Sequence, residues 1–309
     1  MKWWTDVREI QNIKHPVALT IGNFDGVHRG HQELLRRVID WARLREGSSL
    51  LLTFYPHPLQ VLHPEKKHVR LFDQEDQREQ LDKMGLTGVL QQSFSRDFSQ
   101  MSGADFLEKY LLKFFQPQCL VVGHDFSFGQ NREGHQQLLQ AFCQQKGIEL
   151  QIVDPLRVSG AVASTSKIRE ALLSGNLELA RELLGRNYYL RGVIEKGDAR
   201  GRTLGFPTAN IKPAVDFFPK IGVYACRATV GGITHNAVTN IGLNRTFVEG
   251  ESHPIKVEAH LLGFQGDIYG KTMKLELMQY LREEKKFSGI EELKTQIALD
   301  AEAAKRILS

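Results

Sequence analysis

A change of periodicity near Gly185 constrains this chain more than any other feature of its sequence. Before it, short apolar runs alternate with helix-period stretches. Residues 17–21 read as a strand, and from His31 to Leu44 the apolar positions Leu34, Leu35, Val38, Ile39 and Ala42 recur at helical spacing. Residues 50–54 form the next buried run. Helical patterns follow at 74–84 and 102–115, strands at 119–122 and 149–153, a glutamine-rich helix between them at 135–146, and two short helices at 167–173 and 177–184. Strands separated by helix-length spacers imply a parallel sheet with crossover helices. Beyond Gly185 the pattern has period two. Residues 188–194, 222–230, 236–241, 256–262 and 273–278 read as strands broken by Gly, Asn or Asp turns, which is the signature of an antiparallel barrel or sandwich. Helical spacing returns only at the end, through Ile290, Leu293, Ile297, Ala301 and Ala304. The 309 residues suit two such domains, because single cores usually split at roughly 250–300 residues.

Composition narrows the function. Forty Lys+Arg against 36 Asp+Glu leave a formal charge of +4, too mild for a nucleic-acid coat without clustering on one face, and no such cluster or DNA-reading helix is visible. Small anionic ligands are compatible with it. No apolar stretch is long enough to cross a membrane, and the N-terminus has no signal core, so a cytoplasmic protein is expected. Cys119, Cys143 and Cys226 lie far apart with no CxxC pair, which excludes a disulfide scaffold and a cysteine zinc site. Gly266 to Thr272 resembles a P-loop, but Gln265 stands where the first glycine is required and the segment joins two strands, so it reads as a hairpin turn.

The segment Gly22-Asn23-Phe24-Asp25-Gly26-Val27-His28-Arg29-Gly30-His31 follows a strand and opens a helix. An α/β sheet presents backbone N–H groups and a helix N-terminus to an anion at this place. Gly22, Gly26 and Gly30 let the main chain approach phosphates, and His28 and His31, three apart, can share one side of the helix start. An HxxH alone would be a turn with two exposed histidines; its placement after the strand makes it a nucleotide site. Thr53 to Pro58 holds His57 between two prolines at a strand's carboxyl end, and Val122 to Gly129 carries Asp125 at another; each is as readily a structural corner. Ser164-Thr165-Ser166-Lys167-Ile168-Arg169 opens a helix with three hydroxyls and two cations, an ordinary N-cap or a second phosphate clamp. In the second half, a Gly/Arg loop from Gly201 runs through Pro207 into a strand on which Thr208 and Asn210 share a face. Their oxygens suit a hard cation such as Mg²⁺, although a polar strand face is the simpler reading. Glu258 and His260 alternate with Val257, Ala259 and Leu261, as a solvated strand face also would.

In this order, these motifs resemble the prokaryotic bifunctional riboflavin kinase/FMN adenylyltransferase family, also called FAD synthetases, over nearly the whole chain. Residues 22–31 resemble its adenylyltransferase motif, 164–169 its second nucleotide motif, 183–188 its domain junction, and 201–211, with the Pro-Thr-Ala-Asn core, its kinase motif. The tail from Val257 through Tyr269-Gly270 to 281–287 resembles it too. The resemblance implies an α/β Rossmann-like nucleotidyltransferase domain over 1–185, followed by an antiparallel β-barrel kinase domain with a C-terminal helix over 186–309. It implies ATP-dependent phosphorylation of riboflavin to FMN, then adenylylation of FMN by a second ATP to give FAD and pyrophosphate, with Mg²⁺ as cofactor. Thr208 and Asn210 match the metal and phosphate positions, Glu258 the general base, and His28 and His31 the ATP-phosphate contacts. Gly22, Phe24, Gly26, His57, Asp125, Ser164, Thr165, Arg169, Gly201 and Thr208 match nucleotide-binding positions. Two segments depart from the pattern: the usual Arg-Pro pair after Asn240-Ile241-Gly242 is Asn244-Arg245, and the acid after His260-Leu261-Leu262 is Gly263.

The chemistry suits these residue types. An FMN phosphate is already a nucleophile at neutral pH, so adenylyl transfer needs alignment and charge stabilisation. An alcohol benefits from a carboxylate that takes its proton. The partners expected are small molecules, with no nucleic acid and no membrane, and the chain a monomer or weak homo-oligomer. Two other classes remain open at this stage. A single-function nucleotidyltransferase would make no FMN from riboflavin, and a non-enzymatic flavin- or nucleotide-binding regulator would need a DNA-reading helix or basic cluster.

Overall fold

The computed structural model of the chain describes residues 1–66, 68–196, 206–243 and 255–309. They divide into two compact units, one of residues 1–68 and 74–163, the other of 69–73 and 164–309.

The first unit is built on a six-stranded sheet: β1 (Lys2–Trp4), β2 (Val17–Ile21), β3 (Ser48–Tyr55), β4 (Gly88–Ser93), β5 (Cys119–Gly123) and β6 (Glu149–Val153). Their order across the sheet is β1-β4-β3-β2-β5-β6, and every pairing is parallel. The run expected to be the first strand is therefore the second. It is buried at all five positions, because helices cover both faces of a parallel sheet. The chain moves outward from β2 through β3 to β4 and then returns to place β5 on the other side of β2. That reversal makes the carboxyl end of β2 a topological switch point, where open α/β sheets bind ligands.

Helix α1 (Arg29–Leu44) connects β2 to β3 and buries Leu35, Val38, Trp41 and Ala42 against Ala18, Leu51, Val89 and Val121. Helix α2 (Gln74–Met84) precedes β4, and α3 (Gln136–Lys146) lies between β5 and β6. The second core cluster joins Leu19, Leu50, Leu120 and Val122 to Phe106, Tyr110 and Phe115. These aromatics come from the expected helix at 102–115, whose centre, Phe106–Leu112, winds as a π-helix. Gly88 is fixed by close approach, since a Cβ there would lie 2.2 Å from the Trp4 ring. A small ribbon, β7 (Arg157–Val158) with β8 (Ala161–Val162), ends this unit.

In the second unit, helices α4 (Thr165–Ser174) and α5 (Leu177–Leu184) lead into six antiparallel strands: β9 (Tyr189–Glu195), β10 (Ala209–Pro213), β11 (Gly222–Val230), β12 (Ile233–Leu243), β13 (Ile255–Leu261) and β14 (Thr272–Arg282). They close into a barrel in the order β10-β13-β12-β11-β14-β9, so no strand edge is left open. The hairpin expected at Gly266 to Thr272 is not there: β13 and β14 are not neighbours, and the segment belongs to a connection across the barrel that runs into β14 at Thr272. Helix α6 (Ile290–Leu308) packs Ala301, Ala304 and Leu308 on Val223, Ala225 and Val238. The expected stripe holds at Ala301 and Ala304, which are buried, and at Leu293 and Ile297, which are half-buried; it departs only at its first position, and it takes in an acid. Ile290 is 60% exposed, whereas Asp300 is buried and accepts a bidentate pair from Arg282 on β14, the closest contact at 2.7 Å. Among the described residues no helix is long and apolar enough to cross a membrane.

Candidate active sites

The loop from β2 to α1 is tied down from several directions. Gly22 N–H donates to the Leu52 carbonyl at 3.1 Å. The Asn23 carbonyl accepts from Thr53 Oγ1 at 3.3 Å and from Gln77 Nε2 at 2.8 Å, and the same amide reaches the Phe24 carbonyl at 3.3 Å. The Val27 carbonyl accepts from Gln32 Nε2 at 2.8 Å. These bonds hold a backbone that is left-handed at Phe24, Gly26 and Val27, with φ of 53°, 84° and 40°. A β-branched residue in that region costs on the order of 1–3 kcal/mol, and such strain concentrates at functional sites. Gln77 on α2 is itself buried. Gln77→Ala is expected to lower stability by about 1–3 kcal/mol, through the loss of a buried donor to two carbonyls. Urea unfolding checks this, and an unchanged midpoint would mean that the loop is held without it.

His28 caps α1. Its Nδ1 accepts the His31 backbone N–H at 3.3 Å, so the proton of the neutral ring is assigned to Nε2. The two imidazoles stack at 3.6 Å with 20° between planes, and Phe24 extends the stack, 4.6 Å from His31. Gly30 lies against this group: a Cβ there would sit 3.1 Å from the His28 ring and 3.0 Å from the Ala163 carbonyl. Burial, and secondarily the neighbouring His28, push the proton affinity of His31 well below that of an ordinary imidazole. Its Nδ1 is closed off from solvent and has no hydrogen-bond partner among the described residues. His31 is thus an uncharged ring at neutral pH, beside the N-terminus of a 16-residue helix. The unfolded chain binds the proton near pH 6.5 and the folded chain does not. Stability from this group is therefore full above that pH and falls as the pH drops through it. Urea midpoints taken between pH 7.5 and 5.5 should fall more steeply in the wild type than in His31→Gln; parallel slopes would contradict the burial effect.

His57 stands at the carboxyl end of β3 and caps a five-residue helical turn, Pro58–Leu62, with its Nδ1 accepting from Leu59 N–H at 3.2 Å. Its ring stacks on His68 at 3.9 Å. Asp125 lies just past β5 with its side chain exposed, 3.8 Å from His124. The loop after β2, His57 and Asp125 thus occupy carboxyl ends of three strands of one sheet.

Ser164, Thr165 and Arg169 belong to the second compact unit. Ser164 caps α4, accepting from Lys167 N–H at 3.3 Å, Thr165 opens the helix, and the Arg169 guanidinium donates to the Val69 carbonyl. Gly201 lies outside the described residues, as do Asn244 and Arg245.

On the barrel, register assembles what the sequence separates. Asn210 on β10 faces Glu195 on β9 and Glu258 on β13, and Glu258 faces Asn240 on β12. Directly opposed residues of antiparallel strands share a face. Val257, Ala259 and Leu261 are buried on the other face, as expected. The Glu258 carboxylate is part-exposed, 2.8 Å from Lys256 Nζ. Asn210 Oδ1 is shielded from solvent and has no hydrogen-bond partner among the described residues. An amide oxygen without a donor fits a hard cation, and Thr208 lies two residues earlier, just before β10 begins. Among the described residues no three His, Cys, Asp or Glu side chains gather to hold a metal, so the oxygen set here is that of hydroxyl and amide.

Sequence reasoning did not select Gln77, Lys256, Asn240 or Glu284 as site residues. Lys256 carried a signal, two residues before Glu258 on one strand face. The other three are far from their partners in sequence, and only the fold brings them together.

Comparison with known proteins agrees with both halves. A family model for FAD synthetase matches residues 10–167, and one for riboflavin kinase matches residues 184–308. Curated relatives include the bifunctional riboflavin kinase/FMN adenylyltransferase of Listeria monocytogenes, 36% identical over 96% of this chain and 91% of the relative. Those of Bacillus subtilis and Escherichia coli K12 are 35% and 36% identical over 94% and 95% of this chain, and over 92% and 95% of their own lengths. A crystal structure described as a macrolide-efflux protein from Streptococcus pneumoniae superposes with a TM-score of 0.86 at 27% identity, covering 98% of both chains. The parallel α/β unit, the closed barrel and both family matches lead to one conclusion: the chain belongs to the bifunctional riboflavin kinase/FMN adenylyltransferase family.

Proposed function

We propose that the chain runs the family's two reactions on separate halves, with the functional boundary at 185/186. The half after it phosphorylates the ribityl hydroxyl of riboflavin with ATP to give FMN; the half before it joins FMN to the adenylyl group of a second ATP to give FAD and pyrophosphate. The boundary rests on the match to riboflavin kinase, which begins at residue 184.

In adenylyl transfer the reacting groups are anionic before the reaction starts. The residues assigned to it are Gly22, Phe24, Gly26, His28, His31, His57, Asp125, Ser164, Thr165 and Arg169. The strained loop brings main-chain N–H groups and the start of α1 to the phosphates. His28, with its proton on Nε2, donates to a phosphate oxygen, and His31 supports that ring by stacking. No side-chain nucleophile is needed, because the FMN phosphate attacks the α-phosphorus itself.

Phosphorylation of an alcohol needs a proton acceptor. Glu258 takes the proton from the ribityl hydroxyl as the oxygen attacks the γ-phosphorus. Lys256 holds the carboxylate in place. Thr208 and Asn210 supply the oxygens for Mg²⁺, which when bound neutralises charge on the ATP phosphates. Gly201, outside the described residues, is assigned to nucleotide binding on its sequence motif alone. The observation that carries this reading is the cross-strand pairing of Asn210, whose shielded Oδ1 has no hydrogen-bond partner among the described residues, to Glu258. Thr208→Ala with Asn210→Ala tests it: an unchanged Mg²⁺ dependence of FMN formation would overturn the metal assignment.

The three cysteines are free and buried, and burial raises Cys119 to about 12 and Cys143 to about 11. Free cysteines suit the reducing cytoplasm proposed for the protein. The proposed working form is a monomer or weak homo-oligomer.

A further inference from the structure

Beyond the residues already assigned, a second carboxylate adjoins the Glu258 row. Glu284 Oε1 accepts a hydrogen bond from Asn240 Nδ2 at 3.1 Å. Asn240 is the direct cross-strand partner of Glu258. Gly242, two residues further along β12, leaves the room that Glu284 occupies: a Cβ there would lie 1.9 Å from Glu284 Oε1. The approach of Glu284 is set by its own chain, because Arg282 ends β14 in the bidentate pair with the buried Asp300 of α6. Asp300 of the C-terminal helix thus anchors Arg282, and two residues along the chain Glu284 meets Asn240, the cross-strand partner of the proposed base.

We propose that Glu284 is a positioning residue for riboflavin phosphorylation, acting through Asn240. An unrestrained Asn240 amide can turn its N–H₂ toward Glu258 and bond the carboxylate that must stay available to the substrate hydroxyl. By accepting from Nδ2, Glu284 fixes which end of the amide faces the row. It does not touch substrate. The inference rests on the reading of Glu258 as the base, and it predicts an effect on turnover rather than on flavin affinity.

The test is steady-state phosphorylation of riboflavin by the full chain, with thermal unfolding of each variant recorded alongside. Glu284→Ala should lower kcat by about 10–100-fold, the range typical of lost outer-shell partners, with KM for riboflavin unchanged. Glu284→Gln keeps an amide oxygen for Asn240 Nδ2 and should restore most of the rate. Gly242→Ala displaces the Glu284 carboxylate by a different route and should reproduce the loss of kcat at nearly unchanged stability. Asn240→Ala combined with Glu284→Ala should be no slower than the slower single variant, since the two act as one unit. Wild-type kcat in Glu284→Ala, losses that multiply in the double variant, or a Gln variant no better than Ala would each overturn the proposal. Glu258→Gln separates the two levels: if it is impaired while Glu284→Ala is not, the inference fails and the reading of the base stands.

Discussion

A His28→Ala/His31→Ala variant is expected to lose conversion of FMN to FAD by at least about 10²–10³-fold, the usual cost of removing one donor aimed at developing charge. It should still make FMN from riboflavin. The expected size follows from what the two rings do together. His28 Nδ1 accepts the His31 backbone N–H, and on the proposed reading its Nε2 donates to a phosphate oxygen; His31 stacks on that ring, and Phe24 in turn lies against His31. Removing the pair takes away the donor and its support at the switch point of the sheet. It also removes a helix cap, worth about 1 kcal/mol, so FMN formation by the same preparation and His28→Asn, which can still cap, serve as controls. Wild-type adenylylation in the double variant would contradict the assignment of this loop.

Glu258→Gln is expected to slow riboflavin phosphorylation by about 10²–10⁴-fold, the contribution of a positioned general base. Glutamine keeps the size and a carbonyl, and it still faces Asn210 and Asn240 across the barrel strands. It cannot take the proton of the ribityl hydroxyl. Riboflavin binding should change little and adenylylation of added FMN not at all, because that reaction is assigned to the other half. Single-turnover measurement of both reactions checks this. Wild-type phosphorylation would make Glu258 an ordinary polar strand residue, paired with Lys256.

Elements with an unbroken pattern were legible in the sequence. The buried run of β2, the stripe of α1 and the alternation of β13 all read correctly, because each carries its own period within one segment. Strand β1 was not legible: three residues are too few for a period, and it is held by pairing with β4 and by Trp4 lying over Gly88. Strand β4 buries only its first three residues, so its second half reads as polar loop. The stripe of α6 was legible too, apart from its exposed first position, but the acid buried beside it was not. Asp300 is buried because Arg282, eighteen residues earlier, neutralises it, and hydrophobic spacing cannot register such a pair. The Gly266 to Thr272 segment had the composition of a hairpin, but which strands a turn joins is decided by barrel closure, a property of all six strands.

The sites divide in the same way. Residues 22–31 were legible because all the parts, strand end, glycines and paired histidines, are contiguous. Even so, the left-handed conformation of Val27 and the Gln77 support required the fold. The barrel site was legible only as separate pieces. That Asn210, Glu258 and Asn240 form one row is a statement about register, and a one-residue slip would turn Glu258 to the opposite face.

One chain performs both steps, phosphorylation of riboflavin and adenylylation of FMN. The direct measurement is a time course of the purified protein with riboflavin, Mg²⁺ and ATP, resolving riboflavin, FMN and FAD by chromatography. The expected result is that FMN forms from riboflavin, FAD follows from FMN, and one ADP and one pyrophosphate are released for each FAD made. Absence of FMN from riboflavin, or FMN that accumulates without yielding FAD in the presence of excess ATP, would contradict the account.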